Sequence, residues 1–256
     1  MNAIQENLSA VRARVVRAAH AAGRDPNTVA LLAVSKTFPP ESVLDAIACG
    51  QRAFGENYAR EGMEKQAVVE TALTQGYEIR PFDRTGQSPL APVCDRIAWH
   101  FIGPLQSNKT RLVAENFDWV HSVDRMQIAQ RLSDQRLPEL PVLQICIQVN
   151  VSGETTKSGI APDELLPLAM QIQELPHVKL RGLMTIPDPK TQAEHQRDGF
   201  RRLREMQESL RSQGFVLDTL SMGMSDDLEV AIAEGATIVR IGRAIFGERA
   251  RLSRPG

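Results

Sequence analysis

The three cysteines, Cys49, Cys94 and Cys146, lie far apart, form no CxxC pair and are odd in number. That spacing excludes a disulfide framework and a cysteine zinc site, and a reducing cytoplasm is the expected location. Excess charge of one sign is also missing, the formal net charge being -1. Bulk electrostatics therefore predict no nucleic-acid partner and no membrane-surface role. No apolar run approaches the roughly 18 residues of a membrane span. The opening MNAIQENLSAVRARVVRAAHAAG lacks the unbroken apolar stretch of a signal peptide. The five histidines show neither HxH nor HExxH spacing, so no metal site is expected. No GxSxG nucleophile elbow is present.

What is present alternates between two periods. Ile4, Leu8, Val11 and Val15 recur at helical spacing, and Gly23 stands where that helix would end. Residues 29–35, VALLAVS, are continuously apolar, as suits a strand buried on both faces of a parallel sheet. Further strands are expected at 52–55, 97–102, 117–121, 141–149, 180–184, 217–222 and 237–241. Helices are expected between them, from Pro39-Pro40 to Gly50, then at 57–70, 105–115, 125–136, 162–175, 192–212 and 226–234. Eight strands alternating with helices predict a single (β/α)8 TIM-type barrel over residues 1–250 with an extra N-terminal helix. An open doubly wound sheet is the alternative. Residues 74–95 break the rhythm with three prolines and two glycines and read as an inserted surface loop; 251–256 read as a tail.

In such a barrel the strand C-termini share one face, where active sites form. Ser35, Lys36 and Thr37 follow strand one, and Glu56 and Asn57 end strand two. Strand three contains His100 and leads to Gly103, strand five ends at Asn150, and strand eight carries Arg240 and Gly242. A lysine emerging from a packed barrel is suited to Schiff-base chemistry if its pKa is lowered. The same position also suits a lysine that snorkels to solvent. SMGMSDD, residues 221–227, offers a glycine turn, with Ser225 and Asp226 as caps for the following helix. With IGR at 241–243 it forms the pair of loops where barrels often hold a phosphate. Each loop alone is equally readable as an ordinary β–α turn. Asp226, Asp227, Glu229 and Glu234 read as a cap and a solvated helix face.

AVSKTFP, FGENY, WHFIGPLQSNK, KSGI, LRGLMTIP, LSMGMSDD and VRIGRAIFG occur in this order along the chain. Together they resemble the YggS/PROSC family, the pyridoxal phosphate homeostasis proteins, from the first helix to Gly247. The resemblance implies a barrel like the alanine racemase N-terminal domain, with pyridoxal 5′-phosphate (PLP) at its mouth. It implies that Lys36 carries the cofactor as a Schiff base and that Asn57 lies beside it. Ser221, Gly223, Met224 and Ser225 would surround the phosphate, completed by the backbone N–H groups of Gly242 and Arg243. Arg240 would face the pyridine nitrogen. Lys157 lies in a family motif, but its chemistry suggests no role. Two features depart from the family pattern: the long 74–95 connection, and Arg243 where a small residue is commoner.

The implied function is a reversible carrier of PLP, without catalytic residues, that serves PLP-dependent apo-enzymes and acts as a monomer. An amino-acid racemase is the alternative, and a barrel using Lys36 on a phosphorylated sugar-like substrate is a remote third. A racemase of this fold takes a second base from a tyrosine on another domain. The two tyrosines here, Tyr58 and Tyr77, are not obvious replacements.

Overall fold

The computed structural model describes residues 3–76, 96–153, 158–186 and 193–248. Eight strands run in chain order: β1 (Ala30–Val34), β2 (Ala53–Glu56), β3 (Ala98–Phe101), β4 (Trp119–Val123), β5 (Leu143–Gln148), β6 (Val178–Met184), β7 (Thr219–Ser221) and β8 (Ile238–Ile241). They close into a barrel in sequence order, each paired in parallel with the next and β8 with β1. The expected (β/α)8 architecture is therefore the observed one.

Nine α-helices lie among the described residues: α1 (Ala3–Ala21), α2 (Pro40–Ala48), α3 (Ala59–Thr74), α4 (Thr110–Asn116), α5 (Met126–Gln135), α6 (Leu165–Gln173), α7 (Ala193–Ser212), α8 (Leu228–Ala233) and α9 (Arg243–Phe246). Helix α3 runs four residues beyond its expected end, and Leu73, one turn after the buried Val69, packs partly buried against the core. The expected loop at 74–95 thus begins as helix at Thr74; residues 77–95, with Tyr77, lie outside the described residues, as do Lys157 and the 249–256 end. Helix α9 has four residues, too short for a sequence period to announce it.

Strand alternation divides the apolar residues between two layers. Phe54, Phe101, Phe117 and Phe200 are fully buried between sheet and helices. Such burial contributes about 1.5–3 kcal/mol for each side chain. A second cluster, Leu32, Val34, Ile102 and Ile238 with Ala30 and Ala53, fills one half of the barrel interior. The other half is polar, with buried His100, His121, Gln148, Ser221 and Arg240.

Helix α1 packs across α8, α9 and α2. Leu8, Val11 and Val15 supply its buried stripe, while Arg24 donates to the Ile232 and Ala236 carbonyls at the end of α8. Among the described residues no helix is long and apolar enough to cross a membrane.

Candidate functional site

The ladder between β1 and β2 continues past Val34, because the Ser35 N–H donates to the Gly55 carbonyl. Val34 belongs to the interior cluster, so alternation turns Ser35 outward and assigns Lys36 to the barrel mouth. Lys36 is half-buried. It opens a tight turn closed by the Phe38 N–H on the Ser35 carbonyl, 3.1 Å. Thr37, the third residue of that turn, has φ 67°. The ring of Phe38 packs 5.1 Å from that of Phe246, which ties this turn to α9.

Behind the turn, between β1, β2 and α3, lies a group of buried charges. Lys65 Nζ donates to Glu56 Oε1 at 2.7 Å, to the Ser35 carbonyl at 2.8 Å and to Glu61 Oε1 at 3.1 Å. The Ser35 hydroxyl donates to Glu56 Oε1 at 2.6 Å. Burial pushes the Glu56 carboxyl above its ordinary range, opposed by the Lys65 ammonium. Asn57 follows at the mouth, and its buried Oδ1 has no hydrogen-bond partner among the described residues. The Asn57 backbone is approached so closely by Gly103 that a Cβ there would stand 2.2 Å from the Asn57 carbonyl oxygen.

Across the mouth, Arg240 rises from β8 into the polar half of the interior. Its NH1 donates to the Ser221 carbonyl at 2.6 Å and to the Ser221 hydroxyl at 2.9 Å. Its NH2 donates to the Thr185 carbonyl at 2.9 Å. The guanidinium is thus fixed at the C-terminal ends of β6 and β7, and its Nε–H has no acceptor among the described residues. Burial lowers its pKa to about 10, so it stays a cation near neutral pH. Ser221 Oγ also lies 2.7 Å from His121 Nδ1, and His121 Nε2 lies 2.8 Å from His100 Nδ1. Burial brings the His100 pKa down to about 3 and that of His121 well below its ordinary value, so both rings are neutral.

The loop after β7 turns at Gly223, φ 95°, where a Cβ would meet that of Ala231 at 2.6 Å. The Gly223 carbonyl accepts the Arg240 N–H. The expected cap is displaced: α8 begins at Leu228 with Asp227 as its N-cap residue. The Asp227 carboxylate folds back to accept the Met224 N–H at 2.5 Å. Burial raises the Asp227 pKa, opposed by that N–H and by Arg240. Ser225 is half-buried, and its carbonyl accepts from Arg14, which also pairs with the exposed Glu229. Glu234 is not on a solvated face as expected; it is buried against Arg197 and Arg204. Gly242 precedes α9, and the Arg243 side chain is exposed. The first N–H groups of a helix lack intrahelical acceptors, so the start of α9 presents donors.

The elements thus bring Lys36, Asn57, Arg240 and the two glycine loops to one end of the barrel. His100 does not join them. It lies deeper, stacked 5.3 Å from Trp119. It helps line a cavity of about 360 Å³ that opens at the opposite, N-terminal end of the strands. Of the five arginines that line it, Arg96 pairs with Asp118, Arg181 with Asp218, and Arg136 donates to the Ala114, Phe117 and Pro141 carbonyls. The chemistry converges at the mouth instead. Sequence reasoning missed Glu61, Lys65, His121 and Thr185. The i,i+4 spacing of Glu61 and Lys65 ordinarily marks a solvated helix face. His121 had a signal, since it alternates with Trp119 toward the interior.

Known proteins share this fold. The family model for the alanine racemase N-terminal domain matches residues 2–250. The chain is similar to the pyridoxal phosphate homeostasis protein of Pseudomonas aeruginosa, 54% identical over 97% of both chains. It is 49% identical to the protein of that name in Escherichia coli K12, over 97% of this chain and 98% of the other. Among solved structures, PipY of Synechococcus elongatus with PLP bound superposes with a TM-score of 0.76 at 34% identity. That match covers 95% of this chain and all 100% of PipY.

Proposed function

The chain belongs to the pyridoxal phosphate homeostasis family built on the alanine racemase N-terminal domain, and from that premise we propose that it binds PLP reversibly at the barrel mouth and buffers or delivers it. The observation that carries the reading is the Arg240 guanidinium, fixed at the strand ends with an uncommitted Nε–H. The unpartnered Asn57 Oδ1 beside the Lys36 turn supports the fit.

When bound, PLP supplies an aldehyde that an amine can hold and a pyridine ring that can withdraw electrons. Lys36 is the amine proposed to hold the aldehyde. Arg240 donates and cannot accept, so it favours a ring nitrogen that keeps its lone pair. That weakens electron withdrawal by the ring and suits storage over catalysis. The loops at Ser221, Gly223, Met224 and Ser225, and the N–H groups of Gly242 and Arg243, are the proposed phosphate side. The Ser221 hydroxyl is engaged by Arg240 and His121, so its part is to position Arg240 as much as to meet phosphate. Met224 contributes through the shape of its turn, because its N–H is taken by Asp227.

A non-catalytic role is supported by Tyr58, which is 57% exposed just beyond β2. A second base would have to reach into the mouth from the face opposite Lys36. PLP-dependent apo-enzymes are the proposed recipients, a monomer the proposed state and the cytoplasm the proposed location. The test is a titration with PLP and with pyridoxal lacking the phosphate, followed by incubation with L-alanine in heavy water. PLP should bind far more tightly, and deuterium should enter Cα slowly. Equal affinities would remove the phosphate side, and exchange at roughly 1 per second or faster would make the protein a racemase.

A further inference from the structure

We propose that Glu61, Lys65 and Glu56 form a positioning clamp that holds the turn at residues 35–38 and so presents Lys36 to the barrel mouth. The proposal rests on the reading of Lys36 as the PLP-holding amine. Among the described residues, Thr37 is the one non-glycine residue with positive φ, at 67°. The third position of such a turn normally takes glycine or asparagine, and a β-branched threonine is disfavoured there. Backbone of this kind persists when its surroundings over-determine it, and it gathers at functional sites.

Here the surroundings grip both neighbours of Lys36. The Thr37 N–H donates to Glu61 Oε1 at 2.5 Å. The Ser35 carbonyl accepts from Lys65 Nζ at 2.8 Å, and the Ser35 hydroxyl donates to Glu56 Oε1 at 2.6 Å. Lys65 joins the two grips, because its remaining bonds go to Glu56 and Glu61. All three of its ammonium protons are used. Lys65 is therefore held to Ser35, Glu56 and Glu61 behind the turn and is not presented to the mouth.

The arrangement is costly for a structural ornament. Lys65 is 3% exposed and Glu56 0%, and Glu56 Oε2 is buried without a partner among the described residues. A buried ion pair is often no more stabilising than an apolar pair of the same size. What apolar side chains cannot supply is an acceptor for the Thr37 N–H and a donor for the Ser35 carbonyl. The clamp stands outside the barrel wall, under α3, while Lys36 faces the other side. It acts on the turn and need not touch the cofactor.

The test has an arm without PLP and an arm with it. Amide hydrogen exchange at Thr37 is measured in the cofactor-free protein, in Glu61→Ala and in Glu61→Gln. Loss of one charge-assisted hydrogen bond should speed exchange about tenfold or more in Glu61→Ala. Glu61→Gln keeps an acceptor and should stay near the parent. With PLP added, borohydride quenching over time gives the rate at which pyridoxyl appears on Lys36. That rate should fall about tenfold in Glu61→Ala, and adding Thr37→Gly should restore most of it, since glycine adopts positive φ freely. A merely structural role for Glu61 would not be rescued at Thr37. Unchanged exchange and unchanged trapping in Glu61→Ala overturn the clamp, and so does a slowed rate that Thr37→Gly leaves slow. Absence of pyridoxyl on Lys36 in the parent protein overturns the PLP reading instead, and the exchange arm then decides the clamp alone.

Discussion

Two buried cations brace opposite sides of the barrel mouth, and they are neutralised by different chemistry. Lys65, behind β1 and β2, is surrounded by the carboxylates Glu56 and Glu61 and one carbonyl. Arg240, between β8 and the ends of β6 and β7, has two carbonyls and one hydroxyl within hydrogen-bond reach. The first arrangement consumes every proton of its cation and leaves it rigid. The second orients a cation with neutral groups and leaves an Nε–H to offer. One side of the mouth is built to hold backbone, and the other to hold a ligand.

The comparison is broken most severely by Lys65→Met. Removing the cation leaves Glu56 as an uncompensated buried charge, which costs about 3–5 kcal/mol. The folded-state pKa of Glu56 is raised by burial, so its proton is held more tightly in the folded state than in the unfolded one. A group shifted in that direction stabilises the fold below the ordinary carboxylate range and loses the contribution as pH rises through the folded value. Losing Lys65 raises that value further. Urea unfolding should therefore show a smaller defect in Lys65→Met near about pH 5 than near about pH 8. A defect independent of pH would mean that Glu56 is already neutral in the parent.

Arg240→Met should have the smaller effect on stability. It strands the Thr185 carbonyl, at about 1–3 kcal/mol, and takes from the buried Asp227 carboxylate a cation that opposes its raised pKa, while Asp227 keeps the Met224 N–H. The neighbouring rings do not titrate in the accessible range, with His100 at about 3 and the Arg240 cation itself lost only near 10. The defect should change less over the same pH interval than that of Lys65→Met, because Asp227 keeps a backbone N–H donor when Arg240 is lost, whereas Glu56 loses its ion pair. A loss that grows toward high pH as steeply as that of Lys65→Met would show that Asp227 or His121, both of whose pKa values Arg240 lowers, holds its proton more tightly once that cation is gone.

The fold was legible because a parallel barrel buries both faces of its strands. Runs such as VALLAV at 29–34 and PVLQICIQV at 141–149, the latter apolar but for two glutamines, stand out between helical periods. The placement of candidate residues at the mouth was legible where polar side chains sit at or just past a strand end, as at Lys36, Asn57 and Arg240. It was not legible where burial reverses the ordinary meaning of a residue. An i,i+4 pair such as Glu61 and Lys65 ordinarily lies on a solvated helix face, yet the glycine at 62 lets α3 lie close against Phe117 and Glu56. The polar half of the interior was hidden for a related reason. A histidine within a strand gives no sign of whether it faces the mouth or the middle of the barrel, and His100 was assigned to the mouth. The carboxylates after β7 read as one exposed group, but contacts from α1 and α7 separate Glu229 from Glu234. Those contacts join residues far apart in sequence.

The most direct test of the account is where the aldehyde goes. Protein incubated with PLP is reduced with borohydride, digested and analysed by peptide mass spectrometry. The account predicts a pyridoxyl group on the peptide containing Lys36, none on that containing Lys65, and loss of the label in Lys36→Ala. Label carried mainly on Lys65, Lys109 or Lys157, or label that persists undiminished in Lys36→Ala, would contradict it.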